Sequence, residues 1–159
     1  MWDQRYSEEG FAYGTDPNDF LRSEYSRIPR GGRVLCLAEG EGRNAVFLAK
    51  HGYAVTAVDQ SSVGLEKARK LAIESGVEIA TIVADLGDYD PGRDSWPGIV
   101  SISPHVPPEL RKPLPGRVVE SLKSGGGFTL RASTARPLAM DGIRRTPPST
   151  THTRISFTA

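Results

Sequence analysis

The chain has 159 residues, a formal net charge of +1, 25% charged residues and one cysteine. That length is one domain with enough residues to bury a core; the balanced charge gives no reason to expect nucleic acid or another polyanion as partner, and a lone cysteine excludes an internal disulfide. No apolar run approaches membrane-spanning length, and the charged stretch MWDQRYSEEG lacks the apolar core of a signal peptide, so a cytoplasmic protein is expected.

Residues 1–30 form an aromatic lead-in: Trp2, Tyr6, Phe11, Tyr13, Phe20 and Tyr25, with Gly14 and Pro17 between them. Such a segment packs across a sheet edge as a lid. A sharper reading is that it closes over a cation, since aromatic faces attract positive charge. Asp19–Ser26 reads as a short helix, and Pro29-Arg30-Gly31-Gly32 breaks the chain after it. Val34–Ala38 is then a short apolar run, the pattern of a strand buried on both faces; Cys36 within it reads as a buried core residue. It leads into Glu39-Gly40-Glu41-Gly42, and a helical pattern starts near Asn44. Glycines in such a turn permit positive φ and leave no Cβ in the way of a ligand. The turn falls at the carboxyl end of the strand, where open α/β sheets bind ligands.

Further along, Asn44–His51 has helical spacing with Gly52 as its stop. Tyr53–Val58 is a β-branched strand ending in Asp59. Ser61–Ser75 is amphipathic, with Val63, Leu65, Ala68, Leu71 and Ala72 on one face. Glu78–Ala84 is a third strand ending in Asp85, Ile99–Ser103 a fourth, and Phe128–Ala132 a fifth. Ten of the twelve prolines follow Asp90. Pro113 and Pro115 interrupt the crossover before strand five, so two short helical pieces are expected, Pro108–Lys112 and Gly116–Lys123, followed by a turn at Ser124–Gly127. Pro104 belongs at the end of strand four. Alternating strands and helices imply an α/β fold: a Rossmann-like, doubly wound, mostly parallel sheet. Beyond Ala132 the chain turns basic and rich in Thr, Ser and Pro, and RISF is its one strand-like run. The expected domain is therefore 1–132, with 133–159 an irregular or disordered basic tail.

Gly40, Gly42 and Ala45 satisfy G-x-G-x-x-G/A, and Asp59 follows Gly42 by 59 − 42 = 17 positions. That spacing alone admits an NAD(P)-dependent oxidoreductase. Glu39 points elsewhere. A carboxylate beside the first glycine repels a pyrophosphate but suits a ligand carrying an ammonium and a sulfonium. Asp85, a third acidic strand end, suits the amino group of adenine. For Asp59 and Asp85, ordinary capping at strand ends is the competing reading.

The ordered set LAEGEG, VDQS, ADL and LKSGGGF resembles the four motifs of class I S-adenosylmethionine-dependent methyltransferases, with Ser124 where proline is usual. The lead-in WDQRYSEEGFAYGTDPNDFL looks like the small tellurite-resistance and thiopurine methyltransferase-like branch. The resemblance covers residues 1–132 and implies five parallel strands, with the family's terminal antiparallel strands missing or degenerate here. It implies S-adenosyl-L-methionine as cofactor and a small-molecule methyl acceptor. Ala38, Gly40 and Gly42 would approach the methionine part, with Glu39 near its amino group. Asp59 would accept from the ribose hydroxyls and Gln60 would flank the adenine. Asp85 and the Leu86 amide would take the adenine edge, and Arg5 and Tyr13 would reach the cofactor from the lead-in. Methyl transfer from a sulfonium is an in-line displacement with a neutral leaving group, so no metal is expected and the protein mainly positions the acceptor. His105, after strand four, is the candidate base where the acceptor must lose a proton; a surface-loop histidine is the competing reading. The short C-terminus leaves a third possibility, a cofactor-binding domain without transferase activity.

Overall fold

A computed structural model describes residues 1–102, 109, 113–131, 143–144 and 154–155, those from 127 onward by their backbone. Helices α1 (Trp2–Tyr6) and α2 (Asp19–Glu24), the latter extended by a 3-10 turn at Tyr25–Arg27, precede strand β1 (Arg33–Leu37). Then come α3 (Arg43–Lys50), β2 (Ala54–Asp59), α4 (Ser62–Glu74), β3 (Ala80–Val83), β4 (Trp96–Ile102), α5 (Pro113–Ser121), β5 (Leu122–Arg131), β6 (Ile143–Arg144) and β7 (Arg154–Ile155). The sheet order is β3-β2-β1-β4-β5-β6-β7. Strands β1 to β5 are mutually parallel. Strand order reverses between β1 and β4, which makes a crevice above their carboxyl ends.

Strand β1 is the two-sided core strand that its apolar run predicts. Val34 and Cys36 pack with Ala45, Leu48, Leu65 and Val100 on one face. Leu35 and Leu37 pack with Val58, Ile99, Leu114 and Val118 on the other. Fully burying an aliphatic side chain of this kind contributes ~1.5–3 kcal/mol, so β1 anchors both layers and holds the turn that follows it. Burial, with Glu39 nearby, pushes the Cys36 thiol up and keeps it protonated.

Four differences from the sequence reading have physical causes. Helix α1 is too short to be stable alone; its Asp3 carboxylate accepts from the Ser61 hydroxyl at the start of α4, a contact that no local pattern shows. Helix α5 is continuous from Pro113, not started afresh at Gly116. Pro113 and Pro115 both sit in its first turn, where a missing N–H costs no intrahelical bond. The expected piece at 108–112 lies outside the described residues apart from Glu109, as does Pro104. Strand β4 starts three residues early and takes in Pro97, and the register with β5 shifts there, from Trp96↔Leu122 to Gly98↔Gly127. The glycine turn at 124–126 is thus a bulge within β5 rather than a turn before it. Finally, β6 and β7 pair antiparallel, two residues each, the degenerate form of the terminal strands, with β7 falling in RISF. The rest of the expected tail lies outside the described residues.

Candidate cofactor-binding site

After Leu37 the chain turns sharply. Ala38 has φ +53°, Gly40 +63° and Gly42 +90°. At Ala38 this left-handed backbone is strained for a residue with a Cβ. The expectation that the glycines leave room for a ligand needs correcting, because protein fills the room. A Cβ on Gly40 would lie 2.6 Å from the Tyr6 hydroxyl, and one on Gly42 2.6 Å from Ala68 Cβ of α4. The turn is clamped between α1 and α4, and only its remaining backbone face is left for a ligand.

Two buried carboxylates hold the turn. Asp59 Oδ2 accepts from Gly40 N at 2.9 Å, and Oδ1 from Ser61 N at 2.8 Å. Burial raises its pKa, and these amides oppose the rise. Glu39 Oε1 accepts from Asn44 N at 3.0 Å and Ala45 N at 2.7 Å. Gly42, at the N-cap of α3, has no side chain to satisfy those amides; Glu39 supplies the cap from three residues upstream. Burial pushes the Glu39 carboxyl up to about 7, against the pull of the two amides and the Arg43 charge; Asp59 nearby adds to the rise. The sequence reading aimed Glu39 at a ligand ammonium alone, so its capping duty is an addition.

Asp85 stands one strand over. Asp59 pairs with Val83 in register, and Ala84 N donates to the Asp59 carbonyl at 2.9 Å. Asp59 and Gln60 therefore leave the sheet beside Asp85 and Leu86. Asp85 is exposed; its Oδ1 accepts from Gly87 N at 2.7 Å, and its carbonyl from Asp88 N and Tyr89 N. Leu86 buries its side chain in the core, and its N–H has no acceptor among the described residues. Among those residues no hydrogen bond or ion pair joins Asp85 to Glu39 or Asp59. Capping is real at both aspartates, and each still has lone pairs to offer.

The lead-in is bonded to the turn and to the helices that follow it, α3 and α4. Asn18 N donates to Asn44 Oδ1, and Ala12 N to Glu41 Oε2 at 2.7 Å. Lys67 Nζ, from α4, donates to the carbonyls of Glu8 and Gly10 and to Glu41 Oε1 at 3.0 Å. The cation reading of the aromatics meets the protein's own charges. The Arg5 and Arg43 guanidinium groups lie 5.3 and 5.8 Å from the centre of the exposed Tyr13 ring. The sequence gives no site role to Tyr6, Glu41, Asn44 or Lys67; Glu41 and Lys67, 26 positions apart, carry no local signal of their pairing. His105 lies outside the described residues. Replacing Lys67 with Met leaves the buried Glu41 carboxylate without its cation, and lowers stability by about 1–2 kcal/mol. Limited proteolysis should then cut between residues 8 and 12 faster than in the parent.

Ser101, on β4 opposite Leu37, has a buried Oγ with no hydrogen-bond partner among the described residues. Among the described residues no group of three His, Cys, Asp or Glu could hold a metal ion. Nor is any helix there long and apolar enough to cross a membrane.

The sheet order and the acid-flanked turn at the crevice define a Rossmann-like α/β domain of the class I methyltransferase type. The chain belongs to the methyltransferase-domain family, whose model matches residues 34–126, more than half of the sequence. It is similar to the PH0226 protein of Pyrococcus horikoshii, with 25% identity and a TM-score of 0.63 over 70% of this chain and 54% of that one. A TehB-like SAM-dependent methyltransferase from Corynebacterium glutamicum shares the fold, with 23% identity and a TM-score of 0.61 over 75% of this chain and 64% of that one. An S-adenosyl-L-methionine-dependent Diels-Alderase, iccD, of Talaromyces variabilis is 36% identical over 63 residues, 40% of this chain and 22% of that protein. The chain thus spans about half to two thirds of the two structures and less than a quarter of the Diels-Alderase.

Proposed function

We propose that this chain is the cofactor-binding domain of an S-adenosylmethionine-dependent methyltransferase acting on a small molecule. The observation that carries this reading is the pair of buried carboxylates, Glu39 and Asp59, bonded to the two ends of one glycine turn at the switch point of the sheet. A pyrophosphate would add like charge there, whereas a ligand with an ammonium and a sulfonium supplies the missing cation. The donor set fits this cofactor. Glu39 keeps Oε2 for the ammonium, Asp59 keeps lone pairs for ribose hydroxyls, and Ala38, Gly40 and Gly42 offer backbone. Asp85 and the Leu86 N–H, which has no acceptor among the described residues, form the acceptor–donor pair that an adenine edge requires, with Gln60 beside it. When bound, the cofactor supplies a methyl group on a good, neutral leaving group. The work left to the chain is to bind, orient and exclude water. The strapped lead-in serves the last purpose, with Arg5 and Tyr13 at its rim. His105 is the proposed base for an acceptor that must lose a proton.

The family match favours methyl transfer over the nicotinamide oxidoreductase that the glycine spacing admits. The narrower placement, beside the tellurite-resistance and thiopurine enzymes, rests on the lead-in motif. A second reading, cofactor binding without methyl transfer, is favoured by one of the relatives, which is named for a Diels–Alder reaction rather than a methylation. Calorimetry decides the first issue. S-adenosylhomocysteine should bind and NADH should not; NADH binding alone would overturn the proposal. Transfer of a labelled methyl group to small thiol or oxyanion acceptors then separates the two remaining readings.

A further inference from the structure

The connection from β3 to β4, residues 84–95, consists of turns without a helix of its own. It nevertheless has to hold a carboxylate and an N–H side by side if it reads a purine edge. Near Asp85 its own bonds run only to the Asp85 carbonyl and carboxylate; farther along, Gly92 N donates to Asp90 Oδ1 and Ser95 Oγ to the Arg93 carbonyl. The Asp85 carbonyl is turned inward by the amides of Asp88 and Tyr89. In a trans peptide the Leu86 N–H points the opposite way, and it makes no bond among the described residues. The next two carbonyls are held from outside. Arg117, on α5, donates through Nη2 to the Leu86 carbonyl and through Nη1 to the Gly87 carbonyl at 3.1 Å.

This arginine is half-buried, and among the described residues no carboxylate pairs with it. Its Nε is buried with no acceptor among the described residues. Leaving a buried N–H unpaired costs free energy. Position 117 adjoins the buried stripe Leu114, Val118 and Ser121, which an apolar residue would extend without that cost. What the guanidinium contributes instead is a rigid two-pronged grip on consecutive peptide planes.

We propose that Arg117 is a positioning residue for the nucleoside end of the site, acting through the backbone of Leu86 and Gly87 to keep the Leu86 N–H beside the Asp85 carboxylate. The inference rests on the cofactor reading above. Its test uses the full chain, with S-adenosylhomocysteine and 5′-methylthioadenosine, which keeps the nucleoside but lacks the amino-acid end, as calorimetric probes. Arg117→Met keeps the stem and removes the grip. It should weaken both ligands by the same factor, about tenfold, with circular dichroism unchanged. Arg117→Lys, which can reach one carbonyl, should recover part of the loss. The ligand-induced shift of the Leu86 amide resonance should shrink in Arg117→Met and return in Arg117→Lys. Unchanged affinity for both ligands in Arg117→Met overturns the proposal, and so does a loss confined to S-adenosylhomocysteine. If Arg117→Met does not fold, Arg117→Lys binding like the parent overturns it. Parent protein that binds neither ligand overturns the cofactor reading itself, which is a different result from parent binding with an indifferent variant.

Discussion

An Asp59→Ala variant should lose about 1.5–3 kcal/mol of affinity for S-adenosylhomocysteine, the value of charge-assisted bonds to two ribose hydroxyls. It should also melt lower than the parent. The same carboxylate accepts from Gly40 N and Ser61 N, so the substitution leaves two N–H groups unpaired around a buried position, at about 1–3 kcal/mol for such a group. One number therefore mixes two effects, and Asp59→Asn separates them. The amide oxygen can still accept one of the two backbone N–H groups, but the negative charge is gone. If the affinity depends on charge at the sugar, Asp59→Asn recovers stability and not binding. If it depends on the shape of the turn, both recover together. Titration calorimetry and thermal melts on the three proteins distinguish the cases, and unchanged affinity in Asp59→Ala removes Asp59 from the site.

What was legible in the sequence is what short-range pattern encodes. The apolar run of β1, the 3.6-residue periodicity of α4 and the strand-end positions of Asp59 and Asp85 follow from local chemistry, and the parallel order follows from their alternation. The glycine turn was legible as a turn. That Tyr6 and Ala68 fill the space beside its glycines was not, because both contacts come from elements distant in the chain. Continuity of α5 was misjudged for a different reason: a proline costs ~3 kcal/mol inside a helix and almost nothing in its first turn, and composition does not reveal which turn is first. Glu39 reads as a ligand group from the sequence because it is an acid immediately before the first glycine of the turn, where its charge suits an ammonium better than a pyrophosphate. That it caps α3 appears only once the turn brings it back over Asn44 and Ala45.

That duty gives the remaining large effect, a stability that falls as pH rises through the slightly acidic range. The Glu39 carboxyl titrates near 4.5 in an ordinary setting and near 7 when folded, chiefly because it is buried. Between those values the folded protein holds a proton that the unfolded chain has released. More protons are then bound in the native state, so the stability slope with pH is negative. The contribution is fully present below about 4.5 and gone above about 7, a span that corresponds to about 3 kcal/mol. Asp59, also raised by burial, adds with the same sign. Glu39→Gln keeps a carbonyl oxygen for the Asn44 and Ala45 amides and cannot ionise. Urea denaturation at pH 5, 6, 7 and 8 should show a shallower slope for this variant and a gain over the parent at pH 8. A ligand ammonium favours the ionised carboxyl, so in the parent S-adenosylhomocysteine binding at pH 6 should release a proton and tighten towards pH 8. In Glu39→Gln it should be weaker and flat. Parent-like slopes in the variant would mean that the titration belongs to other groups. A lost stability slope with unchanged ligand affinity would leave Glu39 as a cap for α3 and nothing more.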